Sequence, residues 1–136
     1  MNPIEVVQNN FNNWQRHDAE AIGAAYVQGG TYTHPIQAEP FTNETIVDFA
    51  KMVFTGFPDF SLDLVSIGQT GDGLVALEWV YHGTDTGPWP DNRSATGVKV
   101  SCPGVSIVQV QEDKILAERV YLDRLSEQKQ LGQIKE

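Results

Sequence analysis

The sequence predicts an α+β domain in which helices come first and a mostly antiparallel sheet follows. Three observations carry that expectation. Apolar residues recur at helical spacing as far as Phe54, beginning with Ile4, Val7, Phe11 and Trp14. From Phe60 onward the period becomes two, as in FSLDLVSIGQ. The turn signals TGDG and QEDK then separate the strand-like runs.

Each element follows from its own pattern. PIEVVQNNFNNWQRHD reads as the first helix. DAEAIGAAYV reads as a second, capped by Asp18, with Ile22, Ala25 and Tyr26 inward. GGTYTHP is a short strand stopped by Pro35. NETIVDFAKMVF is a third helix, with Asn43 as cap and Glu44 at its positive end. Its apolar stripe is Ile46, Phe49, Ala50 and Val53. FSLDLVSIGQ alternates Phe60, Leu62 and Leu64 with Ser61, Asp63 and Val65. LVALEWVYHGTDTG is a long strand, and PWPDNRSATG is a loop of turn residues. VKVSCPGVSIVQV is strand again, with a break or bulge expected at Pro103–Gly104. ILAERVYLD closes the sheet, and RLSEQKQLG is a polar tail.

A chain of 136 residues suits one domain, taken as 1–136, with a core of ordinary size. Hydrophobic residues make up 40%, which is usual for a globular chain. The formal net charge of −9 argues against nucleic acid or an anionic membrane surface as partner, since both call for a basic patch. Cys102 is the single cysteine, so no intrachain disulfide can form and no cysteine metal site is suggested. The start, MNPIEVVQNN, lacks the basic and apolar regions of a secretion signal. No run reaches the ~18 apolar residues of a membrane span. These features lead to the expectation of a cytoplasmic protein.

Alternation places candidate residues on faces. In the long strand Val75, Leu77, Trp79, Tyr81, Gly83 and Asp85 share the more apolar face, which should meet the helices. Ala76, Glu78, Val80, His82 and Thr84 face the other way. In the last strand Arg119, Tyr121 and Asp123 lie together, opposite Val120 and Leu122, so alternation alone puts Asp123 outside. Val80 and Val108 beside Glu78, His82 and Ser106 make an outer face too apolar for plain exposure, and predict a homodimer through it. His34 shares a face with Tyr32; it is either a hydrogen-bonded core histidine or an acid–base group, whose unperturbed pKa of about 6.5 suits such work. Trp14, Trp79, Tyr81 and Tyr121 are core residues or a ligand platform. His17 reads as a surface residue at a helix end. Three scattered histidines suggest no metal site, and GQTGDG is a hairpin, not a phosphate loop.

VALEWVYHGTDTGPW followed by ATGVKVSCPGVSIVQVQEDKILAERVYLDRLSEQKQLG resembles the SnoaL-like polyketide cyclases of the nuclear-transport-factor-2-like superfamily. The likeness runs from about Phe11 to Gly132. HDAEAIGAAYVQGGTYTHPIQAEP is similar to the same stretch of ketosteroid isomerases, which share the fold. The resemblance implies a cone: a curved sheet wrapped with helices, open at one end on an apolar pocket, and commonly dimeric. It also implies that Asp123, just before the QLG tail, lies in that pocket as an acid–base group. Limonene epoxide hydrolases resemble the chain at YLD and GTD, but Gly83 stands where they need an arginine. Ketosteroid isomerases carry a carboxylate base at the position of His34 and an oxyanion-donating tyrosine where Asn10 stands, which argues against steroid isomerisation.

Together these readings predict a cofactor-free enzyme doing acid–base chemistry of cyclase, isomerase or hydrolase type. Its substrate would be an apolar or polycyclic carbonyl compound or ester. Asp123 would be the acid–base group, with His34 and Asp85 sharing or tuning its proton. Trp14, Tyr32, Trp79, Tyr81 and Tyr121 would contact substrate, the tyrosines serving as oxyanion donors. The alternative is a non-catalytic carrier of a small ligand on the same fold.

Overall fold

The computed structural model describes residues 1–134; the last two positions of the expected 1–136 domain lie outside the described residues. Helix α1 (Pro3–Gln15) starts at Asn2, whose side chain accepts the Glu5 N–H at 2.9 Å, with proline in the first turn where no N–H is needed. Helix α2 (Ala19–Ala24) starts at Asp18, which accepts the Ala21 N–H at 3.1 Å. It ends earlier than its pattern suggested. Tyr26 and Val27 already belong to strand β1 (Tyr26–Thr33), where aromatic and β-branched side chains lose less freedom.

Helix α3 (Asn43–Gly56) is capped by Thr42 rather than Asn43, through a reciprocal box with Thr45. Asn43 instead ties the preceding turn together, donating to the Gly23 and Tyr26 carbonyls and accepting from the Gly29 N–H. Its expected stripe is the packed one: Ile46, Phe49 and Ala50 are buried and Val53 lies against the core.

Strands β2 (Ser61–Gly71), β3 (Leu74–Thr84), β4 (Lys99–Gln111) and β5 (Lys114–Leu122) complete one curved, unclosed sheet in the order β1-β5-β4-β3-β2. β1 and β5 are parallel; every other pair is antiparallel. β4 passes through Pro103 and Gly104 without a break, with Val80 opposite Pro103 and Trp79 opposite Gly104. Its ladder to β5 begins at Gly104, one residue beyond the proline that lacks an N–H. Gly104 is there for space: a Cβ would sit 2.4 Å from the Trp79 ring. The register shifts fall elsewhere: between Tyr26 and Thr31 on β1, after Leu64 and after Gln69 on β2, and between Gln109 and Val110 on β4.

The inner face of β3 is as alternation predicted: Val75, Leu77, Trp79, Tyr81, Gly83 and Asp85 are all buried. On β4 the inner face is the even-numbered one. Val108 and Ser106, expected outside, are therefore buried beneath the helices. The outer strip is formed instead by Val80, Val105, Ile107 and the exposed Tyr121. The polar tail is not a tail but helix α4 (Arg124–Gln130), which buries Glu127 and is followed by buried Leu131. No described helix is long and apolar enough to cross a membrane.

Candidate active site

Between the helices and the inner sheet face lies a cavity of about 420 Å3. Its walls are aromatic, including Trp14, Tyr32, Phe49, Phe60, Trp79 and Tyr81. Exposed Ile36, Pro90, Asp91 and Gln133 mark its rim, while Asn10, Ser106 and Glu118 are buried at its inner end. An apolar pocket with a few convergent polar groups is the usual form of a small-molecule site.

Asp123 is not in it. The residue is exposed and forms the N-cap of α4, where its carboxylate accepts the Ser126 N–H at 3.0 Å. The expected pocket position fails because β5 ends at Leu122, whose alternation turns Asp123 outward, and the chain then needs a helix cap there. Tyr121, on the same outward face, is 57% exposed and does not line the cavity.

Asp85 is wholly buried, as alternation required, but faces a loop rather than the cavity. Its carboxylate accepts from Trp89 Nε1 at 2.6 Å, Arg93 Nη1 at 2.9 Å, Arg93 Nη2 at 3.3 Å, and Thr96 N and Oγ1 at 3.1 and 2.8 Å. Burial alone would raise its pKa; the donations from Arg93, Trp89 and Thr96 outweigh it and hold the group at about 2. It is a permanent carboxylate that organises residues 86–98, not a proton-sharing partner.

His34 lies just past the end of β1, buried on the cavity wall, its ring centroid 5.1 Å from that of Phe49 and 6.0 Å from that of Tyr32. Burial, then the charge of Arg124, lower its pKa to about 4. The ring is therefore neutral at pH 7. Its Nδ1 accepts the Ile36 N–H at 3.0 Å. In a neutral imidazole the other nitrogen must then carry the proton. His34 thus presents an N–H donor at Nε2 and has no free lone pair, so it does not fit the role of base.

Trp14, Tyr32, Trp79 and Tyr81 do line the cavity. Trp79 donates to Ser106 Oγ at 3.0 Å, and Tyr81 donates to Glu127, which also pairs with Arg124. Burial, and then the neighbouring Glu127 charge, push the Tyr81 phenol far above its usual range. His17 is half-buried, stacked 4.3 Å from the Phe54 ring with Nε2 against the Phe60 carbonyl at 2.7 Å. His82 is on the outer face, bonded to Asp63 at 2.8 Å and Ser101 at 3.1 Å.

The carboxylates that do line the cavity are Glu118, Glu127 and, at the rim, Asp91. Glu118 was legible in part: stepping back by two from Leu122 and Val120 in AERVYL puts it on the inner face. It is buried and accepts the Tyr26 hydroxyl at 2.8 Å. Burial raises its pKa, against the lowering effect of hydrogen bonds from Tyr26 and Ser106. Glu127 gave no such signal, since it lies on a helix that the polar composition of RLSEQKQLG conceals. Among the described residues no cluster of histidine, cysteine and acidic side chains could hold a metal.

A family model described as SnoaL-like polyketide cyclase matches residues 4–131. Among solved structures, AclR from Streptomyces galilaeus, provisionally assigned as a hydroxylase, superposes with a TM-score of 0.82 at 18% identity, covering 98% of this chain and 97% of its own. IdmH from Streptomyces antibioticus, provisionally assigned as a polyketide cyclase, gives 0.80 at 18% identity, covering 97% and 99%. A protein with a ketosteroid isomerase-like fold from Catenulispora acidiphila, solved with trimethylamine, gives 0.77 at 20% identity, covering 97% and 95%. At these identities the likeness is one of fold. No curated protein matches the sequence significantly.

Proposed function

The chain belongs to the SnoaL-like polyketide cyclase family, and on that premise we propose that it is a cofactor-independent enzyme that enolises an apolar carbonyl or ester substrate in the cavity. The observation that carries this reading is Glu118, a buried carboxylate of raised proton affinity, in one cavity with a neutral imidazole that can only donate. The acid–base role expected of Asp123 passes to Glu118. Its carboxylate takes a proton from the carbon next to the carbonyl, and the C–H electron pair moves onto the carbonyl oxygen. His34 Nε2–H and the Tyr32 hydroxyl stabilise that oxygen. The enolate carbon then attacks a second carbonyl, whose oxygen takes the C=O π pair and the proton held by Glu118, or the enolate recovers that proton from Glu118 at another carbon. Burial strengthens both parts: it makes the carboxylate a stronger base and each hydrogen bond electrostatically worth more. A cytoplasmic location belongs to the same reading, supported by the lone unpaired Cys102.

The test uses 2-tetralone, a bicyclic ketone, incubated with the protein in D2O while α-proton exchange is followed by NMR. Glu118→Gln should slow the exchange by about 100-fold or more, as for a lost general base. Equal rates for variant and wild type would remove Glu118 from the mechanism. Binding of the ketone without exchange beyond that of buffer would favour the carrier reading.

A further inference from the structure

The hydrogen bonds behind Glu118 all run one way. The Trp79 indole N–H has only a proton to give, and it gives it to Ser106 Oγ at 3.0 Å. Ser106, held in that way, shares the cavity wall with Glu118 and lowers its proton affinity. On the other side, the Asn13 amide donates to Asn10 Oδ1 at 3.2 Å. Tyr26 donates its proton to Glu118 Oε1 at 2.8 Å, and nearby Asn10 eases the ionisation of the Tyr26 phenol. One direct hydrogen bond, from Tyr26 on β1, therefore reaches Glu118, and Ser106 on β4, held by Trp79 of β3, is its diagonal neighbour across the β4–β5 ladder. Asn10, Ser106, Tyr26 and Glu118 are all buried, and Asn10, Trp79, Ser106 and Glu118 line the cavity.

Resting on the reading of Glu118 as base, we infer that Tyr26 and Ser106 are positioning residues that hold its carboxylate ready to accept a substrate proton. The Tyr26 hydroxyl takes a lone pair of Oε1, Ser106 is the second donor we assign, and the remaining lone pairs serve the cavity. Both favour the ionised form in a place where burial opposes it. The neighbouring titratable groups do not supply this support. Tyr26 and Tyr32 on β1 are phenols pushed well above their usual range by burial and by Glu118 itself. Arg124 is paired with Glu127 on α4, and His34 is neutral.

The proposal is tested without substrate by 13C NMR of glutamate-labelled protein, the Glu118 signal being assigned by its loss in Glu118→Gln. Tyr26→Phe and Ser106→Ala should each raise the Glu118 titration midpoint by about one unit, and the double variant should raise it further. The acid limb of 2-tetralone exchange should move upward with it. Tyr121→Phe, on the outer face, should leave the midpoint in place. Lowered melting temperatures with an unmoved midpoint would show a merely structural role and overturn the proposal. If Tyr26→Phe does not fold, Ser106→Ala alone decides. Moved midpoints in a protein that never exchanges the ketone would uphold the positioning role and defeat the reading of Glu118 as base. Exchange that depends on Glu118 but not on either hydroxyl would do the reverse.

Discussion

At His34 one backbone hydrogen bond decides what the side chain can do. The Ile36 N–H occupies Nδ1, so the ring enters the cavity as a donor. Its pKa of about 4 also ties it to stability. The unfolded chain binds a proton near pH 6.5 that the folded chain refuses until about pH 4, so stability falls as pH drops through that window. The loss should reach about 3 kcal/mol at pH 4. Glu118 acts with the opposite sign. Its folded pKa is raised, so it favours the folded state at low pH and loses that contribution as pH rises through the raised value. Urea unfolding of wild type and His34→Gln at pH 7 and pH 4 separates the two. The wild type should lose the stated amount relative to the variant, and a constant difference between them would refute the buried neutral imidazole.

Among the elements, the segment 86–98 is fastened by one buried side chain and by backbone bonds to Gly56 and Asp85 at its two ends. It has no strand partner and is fastened by Asp85, which gathers Trp89, Arg93 and Thr96. Arg93 lies 4.5 Å from the Trp89 ring centroid, and the Trp89 ring lies where a Cβ on Gly56 would be, 2.2 Å from its nearest atom. Since Trp89, Pro90, Asp91 and Arg93 line the cavity, this fastening shapes the site. Asp85→Asn breaks a buried ion pair and leaves Arg93 uncompensated, so it should cost about 3 kcal/mol. Thermal unfolding checks the size, and faster amide exchange at Thr96 checks the place. The same view gives a second pH window: the pKa of Asp85 is depressed, so its stabilisation is present above about pH 4 and is lost as pH falls through about 2. A variant as stable as wild type, with Thr96 still protected, would mean that the loop orders itself.

At the scale of the whole molecule the open face of the sheet is the unresolved surface. Val105 pairs with Tyr121 and Glu78, Ala76 with Ile107, and Val80 with Pro103, which makes an apolar strip across three strands. Tyr121 is 57% exposed and Val65, on the neighbouring β2, 56%. The homodimer expected from the sequence remains our proposal, now resting on these residues and not on Val108 or Ser106. Sedimentation velocity at micromolar concentration should give a dimer, and Val105→Glu should give a monomer, because a buried unpaired carboxylate at such a contact is costly. A monomeric wild type would sink the idea.

The fold was legible because periodicity reports burial directly. Helical spacing in α1 and α3 and alternation in β3 require an apolar face, and the molecule packs those faces. Even Asp85 was placed inside correctly by counting from Trp79. Counting cannot tell which neighbour a buried polar group meets, and so it sent Asp85 toward the cavity when the loop had claimed it. It was also defeated on β4, where the even face holds Ser106 and Val108 inside because that face meets the helices. At Asp123 counting pointed outward correctly, and it was the resemblance that misplaced the residue, which caps α4 where β5 ends. The base we assign, Glu118, sits in a strand pattern that any polar residue could have interrupted on either face. Its function-bearing environment comes from Tyr26 on one strand and Ser106 on another, 92 residues away and 12 residues away in the chain respectively. Local sequence determines which face a side chain takes; only the packed sheet and helices decide which donors converge on it, because those contacts join segments that are remote along the chain.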